Sequence, residues 1–160
     1  MNSILSEAKL KKLPRPIRKE PIITPKIMHF GPGAFFRSFV ASLIDDVNQK
    51  DAEKWGIIAV SLRSEDTFKK LVDQDLVFTA LSMSNAKKRA QKISSISDFI
   101  VAKKYGQSVL NLLSDEQIEI VSLTITEKGY YYNPDEKKLD FKHQNIIDDL
   151  GNPETPKTAI

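Results

Sequence analysis

The sequence predicts an α/β fold built on a doubly wound, mostly parallel sheet. Three observations predict it. Nearly unbroken apolar runs alternate with segments of helical spacing, as expected of strands covered on both faces. The first run ends in Gly31-Pro32-Gly33 and a helical pattern follows at once. The order of these segments is β-α-β-α-β, with strands of parallel type.

The elements follow in chain order. Residues 1–25 read as an extended, basic arm, with Pro14, Pro16, Pro21 and Pro25 blocking helix. Residues 1–26 hold seven Lys/Arg against two acids, and the remainder holds seventeen against nineteen. The basic excess therefore sits in the leader, while the part after it is mildly acidic. With a short cluster and no interleaved aromatics, the leader reads as a solvated segment on the domain surface and not as a nucleic-acid arm.

Residues 26–160 read as the folded domain. Residues 27–30 form a buried strand. The next apolar positions are Phe36, Phe39, Val40, Leu43, Ile44 and Val47, one stripe of an amphipathic helix. Asp45, Asp46, Asn48 and Gln49 lie off that stripe. Residues 55–63, "WGIIAVSLR", form the second strand. Ser64 and the two acids after it open a short helix. "LVFTALSMS" is the third strand, "NAKKRAQ" a polar turn, and "KISSI" an edge or hairpin strand. "YGQSVLNLLSDEQ" is a helix, and residues 118–126, "IEIVSLTIT", form a strong central strand. "EKGYYYNPDEKKLDF" is loop and hairpin, and "HQNIIDDL" a short helix.

Composition excludes several classes. Hydrophobic content of 41% and charged content of 28% suit a soluble globular chain. No apolar run is long enough to span a bilayer, and the N-terminus lacks the pattern of a signal peptide. The absence of cysteine removes disulfides and thiolate chemistry, and agrees with a cytoplasmic address. His29 and His143 are the only histidines, too far apart to suggest a metal site. His29, inside a strand, reads as a structural side chain.

Parallel α/β sheets bind ligands beyond the carboxyl ends of their strands. Three segments should meet there: residues 31–37, 64–66 and 126–129. Gly31 and Gly33 fill the first two places of the dinucleotide fingerprint G-x-G-x-x-G, while Phe36 fills the third. This spacing fits a phosphate cradle and equally a tight strand–helix turn. Arg37, one turn into the helix, either reaches a phosphate or is solvated. Glu65 and Asp66 stand where an acid would bond the adenosine ribose, a position that favours NAD over NADP. Helix N-terminal charge explains them as well, and Arg63 beside them leaves the choice open.

The segments "HFGPGAFFR", "WGIIAVSLRS" and "VSLTITEKGY" resemble the mannitol dehydrogenase family in order and separation. These are long-chain polyol dehydrogenases and reductases, among them mannitol 2-dehydrogenase and fructuronate reductase (mannonate oxidoreductase). The resemblance runs from about residue 27 to the chain end. Family members commonly carry histidine where Phe36 stands. The resemblance implies a Rossmann-like domain and NAD-dependent, metal-free oxidation of a secondary alcohol of a sugar alcohol or aldonate, or the reverse. It implies that Gly31, Gly33, Ala34, Phe35 and Arg37 line the dinucleotide phosphates. Glu65 or Asp66 would lie near the ribose, and Thr126 and Glu127 toward the nicotinamide. The family's catalytic lysine, asparagine and histidine belong to a helical C-terminal domain that this sequence lacks, so no residue of this chain is expected to be catalytic. The alternative is a nucleotide-binding module with no chemistry of its own.

Overall fold

The computed structural model describes residues 3–4, 16–83 and 88–158, with the side chains of Ser3, Ile4 and Glu127 outside that description. The chain forms two compact units, Met1–Leu123 and Thr124–Ile160.

The first unit is built on a parallel sheet. Strand β2 (Pro25–Phe30) lies between β3 (Gly56–Ser61) and β7 (Ile120–Leu123), and β6 (Ile96–Val101) pairs with the far side of β3. All three pairings are parallel. The order β6-β3-β2-β7 is third, second, first, fourth, which is the doubly wound arrangement. Its switch point lies between β2 and β7.

Alternation along β3 explains why its sequence is apolar throughout. Ile57 and Ala59 join one core with Ile27, Phe36, Ala41 and Phe99. Ile58 and Val60 join the other with Met28, Ile100 and Val109. Each fully buried large side chain contributes roughly 1.5–3 kcal/mol. Helices α1 (Ala34–Ser38) and α2 (Val40–Lys50) supply the first face, and α4 (Ala102–Leu113) supplies Val109 to the second. Helix α3 (Asp66–Leu71) follows β3, and Leu71 packs into the first core.

Several elements differ from the sequence reading. The segment expected as a third parallel strand is β4 (Phe78–Met83), which pairs antiparallel with β5 (Lys88–Ile93) in a separate sheet. Residues 88–91, read as part of a polar turn, lie within β5. The true third strand is β6. Ser97 and Asp98 interrupt its apolar pattern and Ser95 precedes it, although Ser95 and Ser97 are buried. Ser95 Oγ donates to the Ala41 carbonyl at 2.8 Å, which satisfies the hydroxyl inside the core. The last strand is shorter than residues 118–126, and it is the outer strand of the described sheet, not a central one.

The helical stripe is also reassigned. Phe39 and Leu43 are exposed, whereas Asp45 and Asn48 are buried. Both polar residues replace missing backbone partners. Asn48 accepts from the Trp55 amide at 2.7 Å and donates to the Trp55 carbonyl at 2.9 Å. Asp45 accepts from the Ser94 amide at 2.8 Å. Helix α2 is thereby tied to the entry of β3 and the exit of β5 by hydrogen bonds that hydrophobic periodicity cannot reveal.

The leader lies partly outside the described residues. Of the part described, Ser3–Ile4 forms β1 and pairs antiparallel with β5, so this piece is a sheet strand and not a solvated segment. Arg18 donates to the carbonyls of Asp75, Ser94 and Ile96 at 2.7–3.1 Å. Desolvation pulls its pKa below the ordinary value while nearby carboxylates oppose the shift. Glu20 pairs with Lys92 at 2.6 Å. Arg18 is thus a clamp on the domain.

In the second unit, β8 (Tyr132–Asn133) and β9 (Lys138–Leu139) form a small hairpin. Helix α5 (Gln144–Gly151) is capped by His143, whose Nδ1 accepts from the Asn145 amide at 3.2 Å. The Tyr131 ring meets the His143 ring edge-on at 4.5 Å, and Asn145 donates to the Tyr131 hydroxyl at 2.9 Å. His143 and Asn145 therefore act in local structure.

Candidate functional site

Strand β2 ends at Phe30, and Gly31 follows with φ of 88°. That left-handed conformation favours glycine over any residue with a Cβ. The Gly31 amide donates to the Val60 carbonyl of β3 at 3.0 Å, fixing the turn against its neighbour strand. The Gly33 amide then donates to the Gly31 carbonyl at 2.7 Å, closing a three-residue turn around Pro32.

Gly33 is glycine for a different reason. Its φ of −70° and ψ of −175° are open to any residue. A Cβ built there would meet only the Gly31 carbonyl oxygen, at 3.8 Å. The protein itself does not require glycine at this position. A backbone kept bare on an exposed turn suits a ligand that approaches it closely.

Gly33 is the N-cap of α1 and offers no side-chain acceptor. The first intrahelical bond runs from the Arg37 amide to the Gly33 carbonyl at 3.1 Å. The amides of Ala34, Phe35 and Phe36 therefore lack intrahelical acceptors at the end where the helix is positive. Helices α1 and α2 form one run with a bend at Phe39.

Phe36 occupies the place that the fingerprint gives to a small residue. It is fully buried, and its ring stacks on His29 with centroids 3.6 Å apart and an interplanar angle of 7°. Two flat rings face to face bring α1 onto β2 without a glycine. His29 Nδ1 also hydrogen-bonds Ser122 Oγ of β7 at 2.8 Å, across the switch point. His29 is therefore a structural prop beneath the turn. Burial pushes its pKa down to about 4, against the opposing effect of a backbone hydrogen bond at Gly31.

A pH dependence follows from that shift. The folded pKa lies below the unfolded value of 6.5, so the unfolded chain takes up the proton first as pH falls. Stability from neutral His29 is complete above about pH 6.5 and is lost progressively down to about pH 4. Between pH 7 and 5.5 the loss should be about 1 kcal/mol in urea unfolding. His29→Gln should flatten that slope. An equal slope in this variant would remove His29 as its cause.

Arg37 turns back on the glycine turn. Its Nη1 donates to the Pro32 carbonyl at 2.6 Å and lies 3.5 Å from Thr67 Oγ1. Desolvation lowers its pKa, and no carboxylate pairs with it among the described residues. The guanidinium stays charged. Phe35, 64% exposed, stacks on Phe39 beside the turn with centroids 5.5 Å apart.

Thr67 links this turn to the second predicted segment. Ser64 Oγ accepts from the Asp66 amide at 3.0 Å, but the N-cap of α3 is Glu65 and not the Ser64 that the sequence suggests. Asp66 is exposed, and no cation pairs with it among the described residues. Glu65 pairs with Lys104 at 2.5 Å and Lys69 at 3.4 Å. Gly31, Gly33, Ala34, Phe35 and Arg37 thus share one turn, and Glu65 and Asp66 share the adjoining one. Thr126 and Glu127 belong to the second unit, at the start of a short 3-10 turn (Glu127–Tyr130) where the Gly129 amide donates to the Thr126 carbonyl at 2.7 Å. Sequence reasoning missed Lys104, whose only signal was its place just after an unrecognised strand.

The family assignment rests on the whole domain. Residues 25–160 match the family model described as the mannitol dehydrogenase Rossmann domain. The chain belongs to the mannitol dehydrogenase family. The polyol:NADP oxidoreductase of Gluconobacter oxydans (strain 621H) is 32% identical to it over 166 residues, covering 98% of this chain and 34% of that protein. Mannitol 2-dehydrogenase of Cereibacter sphaeroides is 31% identical over 149 residues, covering 91% of this chain and 31% of the relative. Among solved structures, substrate-free D-sorbitol dehydrogenase superposes with a TM-score of 0.76 at 32% identity, covering 98% of this chain and 34% of the other. The ternary complex of Pseudomonas fluorescens mannitol 2-dehydrogenase with NAD and D-mannitol gives 0.75 at 30% identity, covering 97% and 33%. The chain of this mannitol dehydrogenase family member spans about a third of the length of the curated relatives it matches.

Proposed function

We propose that this chain is the dinucleotide-binding part of an NAD-dependent oxidoreductase acting on a secondary alcohol of a sugar alcohol or aldonate. Mannitol to fructose, and mannonate to fructuronate, are the substrate pairs we favour. The observation that carries the reading is the bare Gly33 turn, open to solvent, at the helix end of a third-second-first-fourth sheet. The structural likeness to a mannitol 2-dehydrogenase complexed with NAD supports the cofactor.

The residues fit such a cofactor. The amides of Ala34, Phe35 and Phe36 would donate to the pyrophosphate, with Gly33 allowing its approach. Arg37 would hold the turn closed through Pro32 and present its remaining donors to a phosphate oxygen. Asp66, with no cation partner among the described residues, would accept from the ribose hydroxyls, whereas Glu65 is held by lysines. Thr126 and Glu127 would lie toward the nicotinamide. Bound NAD supplies the hydride acceptor. The reaction also needs a base for the hydroxyl proton, held against the substrate carbon. Among the described residues of the first unit we see no candidate: His29 is buried in a stack, and Lys104 is ion-paired. We place that base, and most substrate-reading residues, outside residues 1–160, and we place the protein in the cytoplasm. Among the described residues no helix is long and apolar enough to cross a membrane.

Absorbance of NADH tests this directly. The purified chain should bind NAD weakly and should not turn over mannitol, fructose, mannonate or fructuronate. Apolar residues of β7 are about half exposed, Ile120 at 44%, Val121 at 49% and Leu123 at 50%, so self-association should accompany this preparation. A steady rate above blank, lost in Gly33→Val, would show that the base lies within these residues.

A further inference from the structure

The corner beside the glycine turn holds more positive charge than a ribose partner requires. The Glu65 carboxylate receives Lys104 Nζ at 2.5 Å and Lys69 Nζ at 3.4 Å. These contacts, Lys104 first, hold its pKa below the usual carboxylate value. Lys69 is a helical neighbour four residues on. Lys104 comes from a different element, the first turn of α4, which follows β6 and so stands beside the end of β3. Arg63, just beyond β3, is exposed, and no carboxylate pairs with it among the described residues. Three cations, Arg63, Lys69 and Lys104, thus share the corner with two carboxylates, Glu65 and Asp66.

Rejecting a 2′-phosphate at a ribose corner needs net negative charge there. In this corner Asp66 keeps its charge, but Glu65 is offset by a lysine supplied from the neighbouring strand's end, and three cations stand against two carboxylates. We infer that Lys104 is a specificity-determining residue, one that lets the corner accept a nucleotide carrying a 2′-phosphate as well as one with a free 2′-hydroxyl. Lys104 holds Glu65 aside and can exchange that carboxylate for the incoming phosphate, with Arg63 as the second donor. Asp66 remains for the unphosphorylated ribose. The inference rests on the dinucleotide reading above and deepens it.

Two probes isolate the 2′-phosphate: adenosine 5′-monophosphate and adenosine 2′,5′-bisphosphate, titrated separately into the chain and followed by amide chemical shifts. The wild-type chain should bind the bisphosphate at least as tightly as the monophosphate. Lys104→Gln should lower the bisphosphate-to-monophosphate affinity ratio about 5- to 10-fold, and Glu65→Gln should raise it. Both sites are on the surface, so thermal unfolding should barely move. Rejection of the bisphosphate by the wild type, or a ratio indifferent to Lys104→Gln, would overturn the inference while monophosphate binding left the dinucleotide reading intact. If neither probe binds, the dinucleotide reading falls and takes this inference with it.

Discussion

Gly33→Val should abolish dinucleotide binding and leave the fold in place. The backbone at Gly33 is extended, with φ of −70° and ψ of −175°, a conformation that valine adopts readily. A new Cβ meets no protein atom closer than 3.8 Å. The isopropyl group would occupy the space above the Ala34, Phe35 and Phe36 amides instead. We expect affinity for NAD to fall by about 100-fold or more, roughly 3 kcal/mol. Replacing a glycine cap with valine costs the fold only about 1 kcal/mol. Gly33→Ser separates the two effects, since serine restores a cap while keeping a Cβ in the turn. NAD affinity retained in a folded Gly33→Val chain would mean that nothing approaches this backbone.

Gly56→Ala should show the opposite pattern, with lost stability and no direct contact to ligand. Gly56 opens β3, where a Cβ would lie 2.5 Å from Ser97 Oγ, 2.6 Å from the Ile23 carbonyl oxygen and 2.7 Å from that of Thr24. Two of these three atoms are backbone. The Thr24 carbonyl also accepts the Gly56 amide at 3.3 Å, so the two chains cannot part without breaking their pairing. Where backbone geometry permits, glycine to alanine commonly stabilises by about 0.4–1 kcal/mol. At Gly56 the sign should reverse, with a loss on the order of 3 kcal/mol and a Tm lower by roughly 10 °C. A Tm within a degree or so of wild type would show that the strand entry is loosely packed.

The contrast between these two glycines marks where sequence reading works. The turn at Gly31 was legible because a strand, a G-x-G and a helix stand together, and each has a local signature. The doubly wound class was legible because strands buried on both faces are apolar throughout. Strand β6 was not, since Ser97 and Asp98 break its apolar run. Ser97 is small for a reason that lies far off in sequence, the close approach of Gly56. Asp45 and Asn48 were placed outside the buried stripe, because their burial depends on backbone partners at Ser94 and Trp55. Arg18 counted as part of a basic leader, yet its guanidinium is occupied by three backbone carbonyls. The pairing of Glu65 with Lys104 spans two strand ends and has no sequence period at all.

Backbone amide chemical shifts of the chain during an NAD titration test the central claim most directly, because they report position even when binding is weak. The predicted result is a set of shifts centred on the amides of Gly31, Gly33, Ala34, Phe35 and Phe36, extending to residues 64–66 and absent in Gly33→Val. Shifts that avoid the glycine turn, or that survive unchanged in Gly33→Val, would contradict a dinucleotide site there.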